Sequence, residues 1–354
     1  MVSNRFDYII IGAGSAGSVL ASRLTEDGRY RVLVLEYGGR DDSVIIQMPS
    51  ACAIPMTKDR YDWGFITEPE PGLNDRQIHQ ARGKVIGGTS SINGMCYVRG
   101  HAGDFDAWEA LGNEGWGYRH CLPYFRRAEC SAFGEDDYRG GAGPLHTCNG
   151  NNMKNPLYHA LIEAGVEAGY PRSDDVNGWR QEGFGRMDMT VAKGRRCSTA
   201  NAYLKPAMTR DNLTVVLHAL TRRVLISKGR ATGVEYEHGG QVLSAFADRE
   251  VILAAGPINS PALLMHSGVG EAAHLREHGI EVVHNLPGVG GNLQDHLEVW
   301  YQVACTKPIT LNGKLNPISK LFIGLRWLLF HDGLGATNHF EANGYIRSRA
   351  GLPY

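Results

Sequence analysis

The feature that most constrains the fold is a strand–loop–helix–strand pattern within the first forty residues. Residues 7–11 form a short, continuous apolar run, which is typical of a strand buried on both faces of a parallel sheet. The run leads into Gly12-Ala-Gly14-Ser-Ala-Gly17, a stretch that can continue as a helix to Thr25, and a second apolar strand over residues 31–36. This order predicts a βαβ unit and therefore an α/β fold.

The glycine loop of this unit has the residues that a dinucleotide requires. Gly12 allows the tight turn, Gly14 lets the backbone approach a pyrophosphate, and Gly17 lets helix and strand pack closely. The helix N-terminus presents N–H groups and a partial positive charge to phosphates. Glu36 ends the second strand, where a carboxylate can accept hydrogen bonds from ribose hydroxyls. The pattern predicts a dinucleotide but does not distinguish FAD from NAD.

A second region of the chain predicts a return to the same sheet. Residues 231–237 and 242–247 read as a hairpin across Gly239-Gly240, preceded by strands at 213–216 and 224–226. Residues 250–254 form another buried strand, which runs into small residues and then a helix. Because this repeats the geometry of the first unit, we predict a discontinuous nucleotide domain. Residues 104–197, with their many turns, read as an insertion.

A glycine-rich loop over residues 83–100 is the other candidate ligand contact. Its paired glycines, Gly87 and Gly88, precede three hydroxyl residues. Such a loop can bring backbone and side-chain donors to a ligand, or it can be a turn capped by Ser and Thr. Composition alone leaves both interpretations open.

Charge and apolar content exclude several classes of protein. Lys and Arg number 36 against 37 Asp and Glu, so no general attraction to nucleic acid is expected. The longest apolar run, over residues 321–330, is too short to span a bilayer and predicts a helix buried in the core, with a membrane-surface contact as the alternative.

Seven scattered cysteines without C-x-x-C predict reduced thiols in the cytoplasm and no metal site. No secretory leader is expected from the first residues.

Taken together, these stretches resemble the glucose–methanol–choline family of FAD-dependent oxidoreductases. The first family signature corresponds to residues 83–106, and the second to residues 256–270. The likeness is strongest to choline-oxidising members, through SSINGMCYVRGHA, PRSDDVNGW, LPGVGGNLQDHLE and ATNHFEANGYIRSR. The resemblance implies a discontinuous FAD-binding Rossmann-like domain, with a parallel sheet and helices, plus a partial substrate domain. The expected ranges are 1–103 and 198–296 for FAD binding, 104–197 for an insertion or lid and part of the substrate domain, and 297–354 for the start of the substrate domain.

The resemblance also implies FAD rather than NAD and assigns cofactor positions. The ADP half would be held by Gly12, Gly14, Ser15, Ala16, Gly17 and Glu36. Positions along the flavin would be Val85, Gly88, Asn93, Gly94 and Met95, with Cys96 as a further cofactor position and Val224 at the adenine end. Some relatives link the flavin to a histidine in this loop. The matching residue here is Ile92, so non-covalent FAD is expected.

The family likeness implies hydride transfer from a primary alcohol to flavin, with choline oxidised to betaine aldehyde as the leading expectation. A quaternary ammonium is recognised by aromatic faces and counter-charges, and the matching positions are Glu298 and Trp63. Trp63 could equally be a core residue, and Glu298 a surface or ion-paired acid. Another primary-alcohol dehydrogenase and a non-catalytic flavin-binding protein are the alternatives, ahead of an NAD-dependent dehydrogenase.

No catalytic residue is nominated. The family's catalytic His and its second His or Asn are expected beyond Tyr354, so the chain as given is expected to be an inactive portion of a longer enzyme. The electron acceptor, a quinone or another oxidant, is not readable from the residues. The predicted location is the cytoplasm, with peripheral attachment to the inner face of a membrane as an option inferred from the family.

Overall fold

The computed structural model describes residues 4–149, 152–349 and 351–352, which divide into two compact units. The first unit contains the chain up to Ser43, Ile54–Asn93 and Ser198–Tyr301. The second contains Val44–Ala53, Gly94–Cys197 and the chain from Gln302 onwards. The division into compact units does not show which unit binds cofactor or substrate. The predicted functional domains therefore stay predictions.

The α-helices are distributed over both units. In chain order they are α1 (Ser15–Leu24), α2 (Val44–Gln47), α3 (Ala102–Ala110), α4 (Tyr118–Ala128), α5 (Pro156–Glu167), α6 (Lys205–Ala207), α7 (Gly256–His266), α8 (Ala272–Glu277) and α9 (Pro317–Phe330). Short 3₁₀ segments lie at Pro49–Ala51, Pro55–Thr57, Pro71–Leu73, Gly88–Ser91, Leu311–Lys314 and Gly333–Ala336, and Ala200–Leu204 is a π-helix. Within the described residues no helix is both long and apolar enough to cross a bilayer.

A six-stranded sheet organises the first unit. Its strands are β1 (Arg5–Ile11), β2 (Val32–Glu36), β3 (Leu213–Leu217), β4 (Leu220–Ser227), β5 (Arg230–His238) and β6 (Gln241–Leu253), in the spatial order β3-β2-β1-β6-β5-β4. The pairs β3–β2, β2–β1 and β1–β6 are parallel, whereas β6–β5 and β5–β4 are antiparallel. The predicted α/β fold with a parallel sheet is therefore confirmed.

Strand β6 is one continuous element where the sequence predicted two. Its first half pairs with β5, from His238↔Gln241 to Gly233↔Phe246, and its second half pairs with β1 as far as Ile11↔Leu253. Three charged residues, Asp248, Arg249 and Glu250, interrupt the apolar pattern in the middle. Arg5 pairs with Asp248, and Asp7 with Arg249 at 3.3 Å. These cross-strand ion pairs let the ladder continue through a polar stretch.

The core of the first unit lies on both faces of its parallel strands. Ile9 and Leu33 pack on one face with residues of the antiparallel hairpin, and Ile10 and Val34 pack on the other with α1 and the π-helix. Ile9, Ile10 and Val34 have no exposed surface. This two-sided burial explains why the strands read as continuous apolar runs.

The second unit consists of helices and short strand pairs. The pairs are Cys96–Tyr97 with Asp188–Met189, Glu129–Ser131 with Leu145–Thr147, Val191–Ala192 with Arg195–Arg196, and Gly183–Arg186 with Ala342–Tyr345. Two similar pairs in the first unit join Phe65–Ile66 to His79–Gln80 and Val269–Gly270 to His284–Asn285.

A buried charge cluster lies inside the second unit. The Glu129 carboxylate, with no exposed surface, accepts hydrogen bonds from Arg99 and Arg139, each at 2.7 Å. Arg139 also pairs with Asp175 at 2.8 Å and Asp188 at 2.7 Å. Every guanidinium and carboxylate in this cluster has a counter-charge, as buried ions require.

The prediction that residues 321–330 form a buried core helix is wrong. They belong to α9, and of its residues only Trp327 is buried, with 3 % of its surface exposed. Leu321, Phe322 and Leu329 are 60 %, 66 % and 71 % exposed. An apolar run predicts a helix with a hydrophobic face. It does not show whether other residues of the same chain cover that face.

Candidate functional site

A cavity of about 850 Å³ opens in the first unit at the carboxyl ends of β1, β2 and β6. Its walls include the loop at Gly12 and Gly14, the start of α1, Glu36 at the end of β2, and the loop at Gly83 and Gly88. Further parts of the wall come from Ala219–Arg222 and from residues between Leu253 and His266. Ligands in open α/β sheets bind beyond the carboxyl ends of parallel strands, so this cavity is the candidate site.

Backbone segments meet closely beneath the cavity because two positions lack a side chain. A Cβ atom on Gly12, whose φ is +97°, would lie 2.5 Å from the carbonyl oxygen of Ala254. A Cβ atom on Gly88, whose φ is +54°, would lie 2.7 Å from Cα of Gly14. The N–H of Gly87 donates to the carbonyl of Ala13 at 2.7 Å. The two glycine loops and the β6–α7 junction thus form one backbone-lined floor.

Helix α1 begins at this floor. Gly14 is its N-cap, and no side chain caps the helix. Gly14, Ser15 and Ala16 line the cavity, so the positive end of the helix dipole faces the space where a ligand would lie. Gly17 instead faces inward, where a Cβ would lie 1.9 Å from the Gly12 carbonyl oxygen. Gly17 therefore allows close packing of helix and loop, and the predicted role of Gly14 toward a pyrophosphate stays a prediction.

The Glu36 carboxylate is held at the cavity wall by two backbone donors. The N–H of Ala13 donates to it at 2.8 Å and the N–H of Gly38 at 2.7 Å. Burial raises the pKa of Glu36 to about 7, although these two hydrogen bonds act in the opposite direction. A donor that approaches from the cavity, such as a ribose hydroxyl, would favour the charged carboxylate.

Two polar atoms in the cavity wall have no hydrogen-bond partner among the described residues. They are Oγ1 of Thr221 and Nε of Arg82, both inaccessible to solvent. Buried polar groups are normally satisfied, so these two atoms are exceptions beside the cavity. Arg82 is positioned by its backbone N–H, which donates to Asp62 at 2.7 Å. Asp62 in turn lies 2.6 Å from Nε2 of His79.

An aromatic group occupies the wall beside Glu36. The rings of Tyr37 and Trp63 stack with centroids 5.0 Å apart and planes at 28°. Phe65 lies parallel to Trp63 at 6.0 Å, and Lys84 Nζ lies 5.9 Å from the Trp63 ring centroid. All three aromatic residues line the cavity. Sequence analysis proposed Trp63 for a substrate ammonium, whereas its neighbours here are residues of the dinucleotide-type site.

The other predicted cofactor positions in the first unit lie around the second glycine loop. Val85 is fully buried and bridges to Gly39, and the Asn93 N–H donates to the Thr89 carbonyl at 2.8 Å. Ile92, at the position where some relatives carry a histidine, is fully buried. Val224 packs in the sheet core, and its N–H donates to Ser267 Oγ at 2.8 Å.

Gly94, Met95 and Cys96 belong to the second unit. The Met95 carbonyl accepts from the N–H of Thr190 at 2.9 Å, and the Gly94 carbonyl from the side-chain amide of Asn338 at 2.6 Å. Cys96 pairs with Met189 in a short strand. Their contacts within this unit neither support nor exclude the predicted role along a flavin.

Glu298 lies in an exposed segment of the first unit without regular secondary structure. Asp295, three residues earlier, approaches Arg82 at 4.0 Å. No contact between Glu298 and Trp63 occurs in the described residues, so the structure does not bring the two predicted substrate residues together.

Sequence reasoning missed Tyr37, Phe65, Arg82 and Thr221. No strand pattern identifies Phe65, because its strand, Phe65–Ile66, begins only after Trp63 and Gly64. Thr221 and Arg82 carry no local motif. The place of Thr221 in the cavity depends on the order of strands in the sheet, and that of Arg82 on its hydrogen bond to Asp62. Within the described residues no three His, Cys, Asp or Glu side chains are grouped to hold a metal ion.

The arrangement suits an extended anionic ligand with hydroxyl groups. The backbone floor and the helix N-terminus fit a pyrophosphate, and Glu36 fits a ribose. The residues present therefore fit a dinucleotide of the FAD or NAD type.

Comparison with known proteins adds independent findings. The model of the GMC oxidoreductase family matches residues 6–298. The oxygen-dependent choline dehydrogenase of Photobacterium profundum is 60 % identical over the whole chain, and that of Vibrio vulnificus is 56 % identical. The chain spans 62 % and 63 % of the lengths of these relatives.

Solved structures show the same likeness. Pyridoxine 4-oxidase from Mesorbium loti is 37 % identical with a TM-score of 0.76, covering 79 % of this chain and 55 % of its own. Formate oxidase from Aspergillus oryzae is 28 % identical with a TM-score of 0.87, covering 98 % and 62 %. An FAD-dependent oxidoreductase from Chaetomium thermophilum is 29 % identical with a TM-score of 0.85, covering 96 % and 61 %.

Proposed function

Because the chain belongs to the GMC oxidoreductase family, we propose that it binds FAD and serves the oxidation of a primary alcohol, choline, to betaine aldehyde. The observation that carries the proposal is the buried Glu36 carboxylate beside the Gly12–Gly17 loop, on the wall of a cavity large enough for a dinucleotide. The names of the similar dehydrogenases support choline as the substrate.

Specific residues would hold the cofactor. The N–H groups at Ser15 and Ala16 would bind the pyrophosphate, and Glu36 would accept hydrogen bonds from the adenosine ribose. Tyr37 and Trp63 would supply an apolar wall next to that ribose. Ile92 offers no nucleophile, which supports non-covalent binding.

FAD supplies the hydride-accepting chemistry when it is bound. The roles of the described residues in this proposal are binding and exclusion of water from the cavity. A base that removes the hydroxyl proton is also needed for alcohol oxidation, and we assign none within this chain.

Glu298 is proposed as the counter-charge of the substrate ammonium. Its exposed position leaves the carboxylate accessible to a cation. In a catalytically active form of the protein, Glu298→Gln should raise the KM for choline at least tenfold and leave the KM for an uncharged primary alcohol unchanged. Equal effects on both substrates, or none, would remove Glu298 from the site.

The cofactor proposal is tested by reconstitution. Purified chain is stripped of ligand and titrated with FAD and, separately, with NAD, following flavin fluorescence and thermal stability. The proposal is supported if FAD binding is saturable and if a substitution of Glu36 weakens it. Tight binding of NAD alone would favour a nicotinamide-dependent dehydrogenase.

Two alternatives remain within the family. If FAD binds but turnover with choline equals that with other primary alcohols, the protein is a general alcohol dehydrogenase. If FAD binds and no alcohol reduces it, the chain is a non-catalytic flavin-binding protein.

For the oxidant we propose only its class, a quinone or another electron acceptor. A cytoplasmic location stays a prediction, which the seven free cysteines support.

A further inference from the structure

Two arginines line the cavity, and among the described residues only one of them has a close carboxylate partner. Arg222 pairs with Glu237 at 2.9 Å. The guanidinium of Arg82 makes longer contacts, with Nη2 3.4 Å from Oε1 of Gln80 and 4.0 Å from Oδ2 of Asp295. In the part of the chain that the structure describes, no carboxylate lies closer to this guanidinium. The positive charge of Arg82 is therefore available to a ligand in the cavity.

These contacts of the guanidinium are weak. The side chains of Arg82 and Asp295 are 34 % and 65 % exposed, and Asp295 lies in a segment without regular secondary structure. Ion pairs of this kind contribute little, because water screens both charges. A phosphate group binds a guanidinium more strongly, since its oxygens accept parallel charge-assisted hydrogen bonds. An anion in the cavity can therefore replace Asp295 as the partner of Arg82.

The backbone of Arg82, in contrast, is fixed from two sides. Asp62 is buried, and its carboxylate accepts a hydrogen bond from the N–H of Arg82 at 2.7 Å. The second oxygen of this carboxylate lies 2.6 Å from Nε2 of His79. The N–H of Trp63 donates to the carbonyl of Arg82 at 3.0 Å. Asp62 thus holds the chain position from which the Arg82 side chain extends, so a change at Asp62 would affect a ligand through Arg82.

A dinucleotide would bring more negative charge than the other parts of the wall neutralise. Glu36 is the one carboxylate among the described residues that line the cavity, and two backbone N–H groups already hold it. The N-terminus of α1 offers a phosphate only the partial charge of a helix dipole. Because each phosphate of a dinucleotide carries a full negative charge, a full positive charge in the wall would add to the attraction.

We propose that Arg82 binds the diphosphate of the dinucleotide through its charge and that Asp62 is the positioning residue of Arg82. The inference rests on the FAD binding proposed above and adds to it a side chain that the glycine-loop pattern does not identify. It predicts that affinity depends on the charge at position 82 and on salt concentration, and that it depends on Asp62 only while Arg82 is present.

The test titrates the purified, ligand-free chain with FAD and with ADP, which carries the diphosphate without the flavin, by calorimetry at low and high salt. We expect Arg82→Gln to weaken both ligands by about tenfold or more, and Arg82→Lys, which keeps the charge, to stay within about fivefold of wild type. Raising the salt should weaken binding by wild type more than by Arg82→Gln. Arg223→Gln, which breaks an exposed pair with Glu235, is the matched control and should stay within about twofold of wild type.

A double-mutant cycle tests the part of Asp62. Asp62→Asn should weaken ADP binding by about three- to tenfold when Arg82 is present and by less than about twofold in the Arg82→Gln background, since a positioning residue acts through its partner. Equal weakening in both backgrounds would make Asp62 a merely structural residue and overturn its positioning role.

Other results would overturn the proposal for Arg82. Equal ADP affinity of wild type and Arg82→Gln would do so and leave FAD binding intact, and equal losses in Arg82→Gln and Arg82→Lys would show that the charge is not what binds. A wild-type chain that binds neither FAD nor ADP would overturn this inference and the proposed function together. If Arg82→Gln does not fold, wild type and Arg82→Lys decide, because ADP affinity that does not fall with salt contradicts a charged contact.

Discussion

The backbone N–H of Ala13 donates to the carboxylate of Glu36 at 2.8 Å and joins the glycine loop to the end of the neighbouring strand. The same carboxylate accepts from the N–H of Gly38, so its position is fixed from both sides. A ligand would therefore meet a carboxylate that is already oriented. Preorganisation of this kind lowers the cost of binding.

The first prediction concerns the pH dependence of stability without cofactor. The pKa of Glu36 is about 7 in the folded chain because of burial, against 4.5 for an ordinary Glu. Between these values the folded state holds a proton that the unfolded state has lost, so the free energy of unfolding falls as pH rises through this window. The decrease should be on the order of 3 kcal/mol in total.

Glu36→Gln removes this titration, so its unfolding free energy should be flatter between pH 4.5 and 7. Denaturant unfolding at several pH values measures the effect. Glu250→Gln, at an exposed position of β6, is the matched control and should keep the wild-type pH profile. If Glu36→Gln and wild type show the same profile, the carboxylate is not neutral in the folded chain.

The second prediction separates two glycines of the first loop. A Cβ on Gly14 would meet nothing closer than 3.8 Å, so Gly14→Ala should unfold within about 0.5 kcal/mol of wild type. It should nevertheless bind FAD at least tenfold more weakly, because the methyl group enters the cavity. Gly17→Ala places a methyl group 1.9 Å from the Gly12 carbonyl oxygen and should cost about 3 kcal/mol of stability.

Thermal unfolding and FAD titration of both variants make this measurement. Gly72→Ala is the control, since nothing lies within 4 Å of its added methyl group. Equal stability losses for Gly14→Ala and Gly17→Ala would contradict the proposed division of roles.

The third prediction concerns the buried charges of the second unit. Glu129→Gln removes the counter-charge of the buried Arg99 and one of the carboxylates around Arg139, and should destabilise this unit by about 3 kcal/mol. Glu135→Gln, which breaks an exposed pair with Arg126, should cost less than about 1 kcal/mol. Hydrogen exchange in the two units locates the loss. Equal costs would mean that the buried cluster contributes no more than a surface pair.

The fourth prediction tests the place of Trp63. Because its ring lines the cavity, bound FAD should quench its fluorescence, and Trp63→Phe should remove a large share of the quenching. Trp179→Phe, at a residue 74 % exposed in the second unit, should leave the quenching unchanged. Quenching that survives Trp63→Phe in full would place the cofactor away from this residue.

The sequence predicted the strands and helices better than it predicted which residues contact each of them. Strand β1 and the hairpin of β5 and β6 were readable because their apolar patterns match the burial of a sheet. The break predicted within β6 does not occur, since Asp248 and Arg249 are paired across the sheet by residues that are distant in sequence. The predicted burial of α9 was wrong for a similar reason. A local apolar pattern does not show whether another part of the chain packs against the helix.

The residues of the candidate site likewise fall into those that a local sequence pattern predicts and those that it does not. Gly12, Gly14 and Glu36 were predictable because one local βαβ unit brings them together. Thr221 reaches the same cavity only through the order of strands in the sheet, and no local signal identifies it. The role of Glu298 stays a prediction, since its segment has no regular structure to fix the carboxylate.

The parallel pairing of β1 with β6 affects how the chain is made. Arg5 aligns with Phe246, and Ile11 with Leu253, so the amino-terminal strand must wait until Leu253 has been made before that edge is covered. During synthesis the apolar β1–β2 pair would present an open edge, the kind of surface on which nascent chains aggregate. Pairing of β1 with β6 should therefore be slow and dependent on chaperones that shield the early strands.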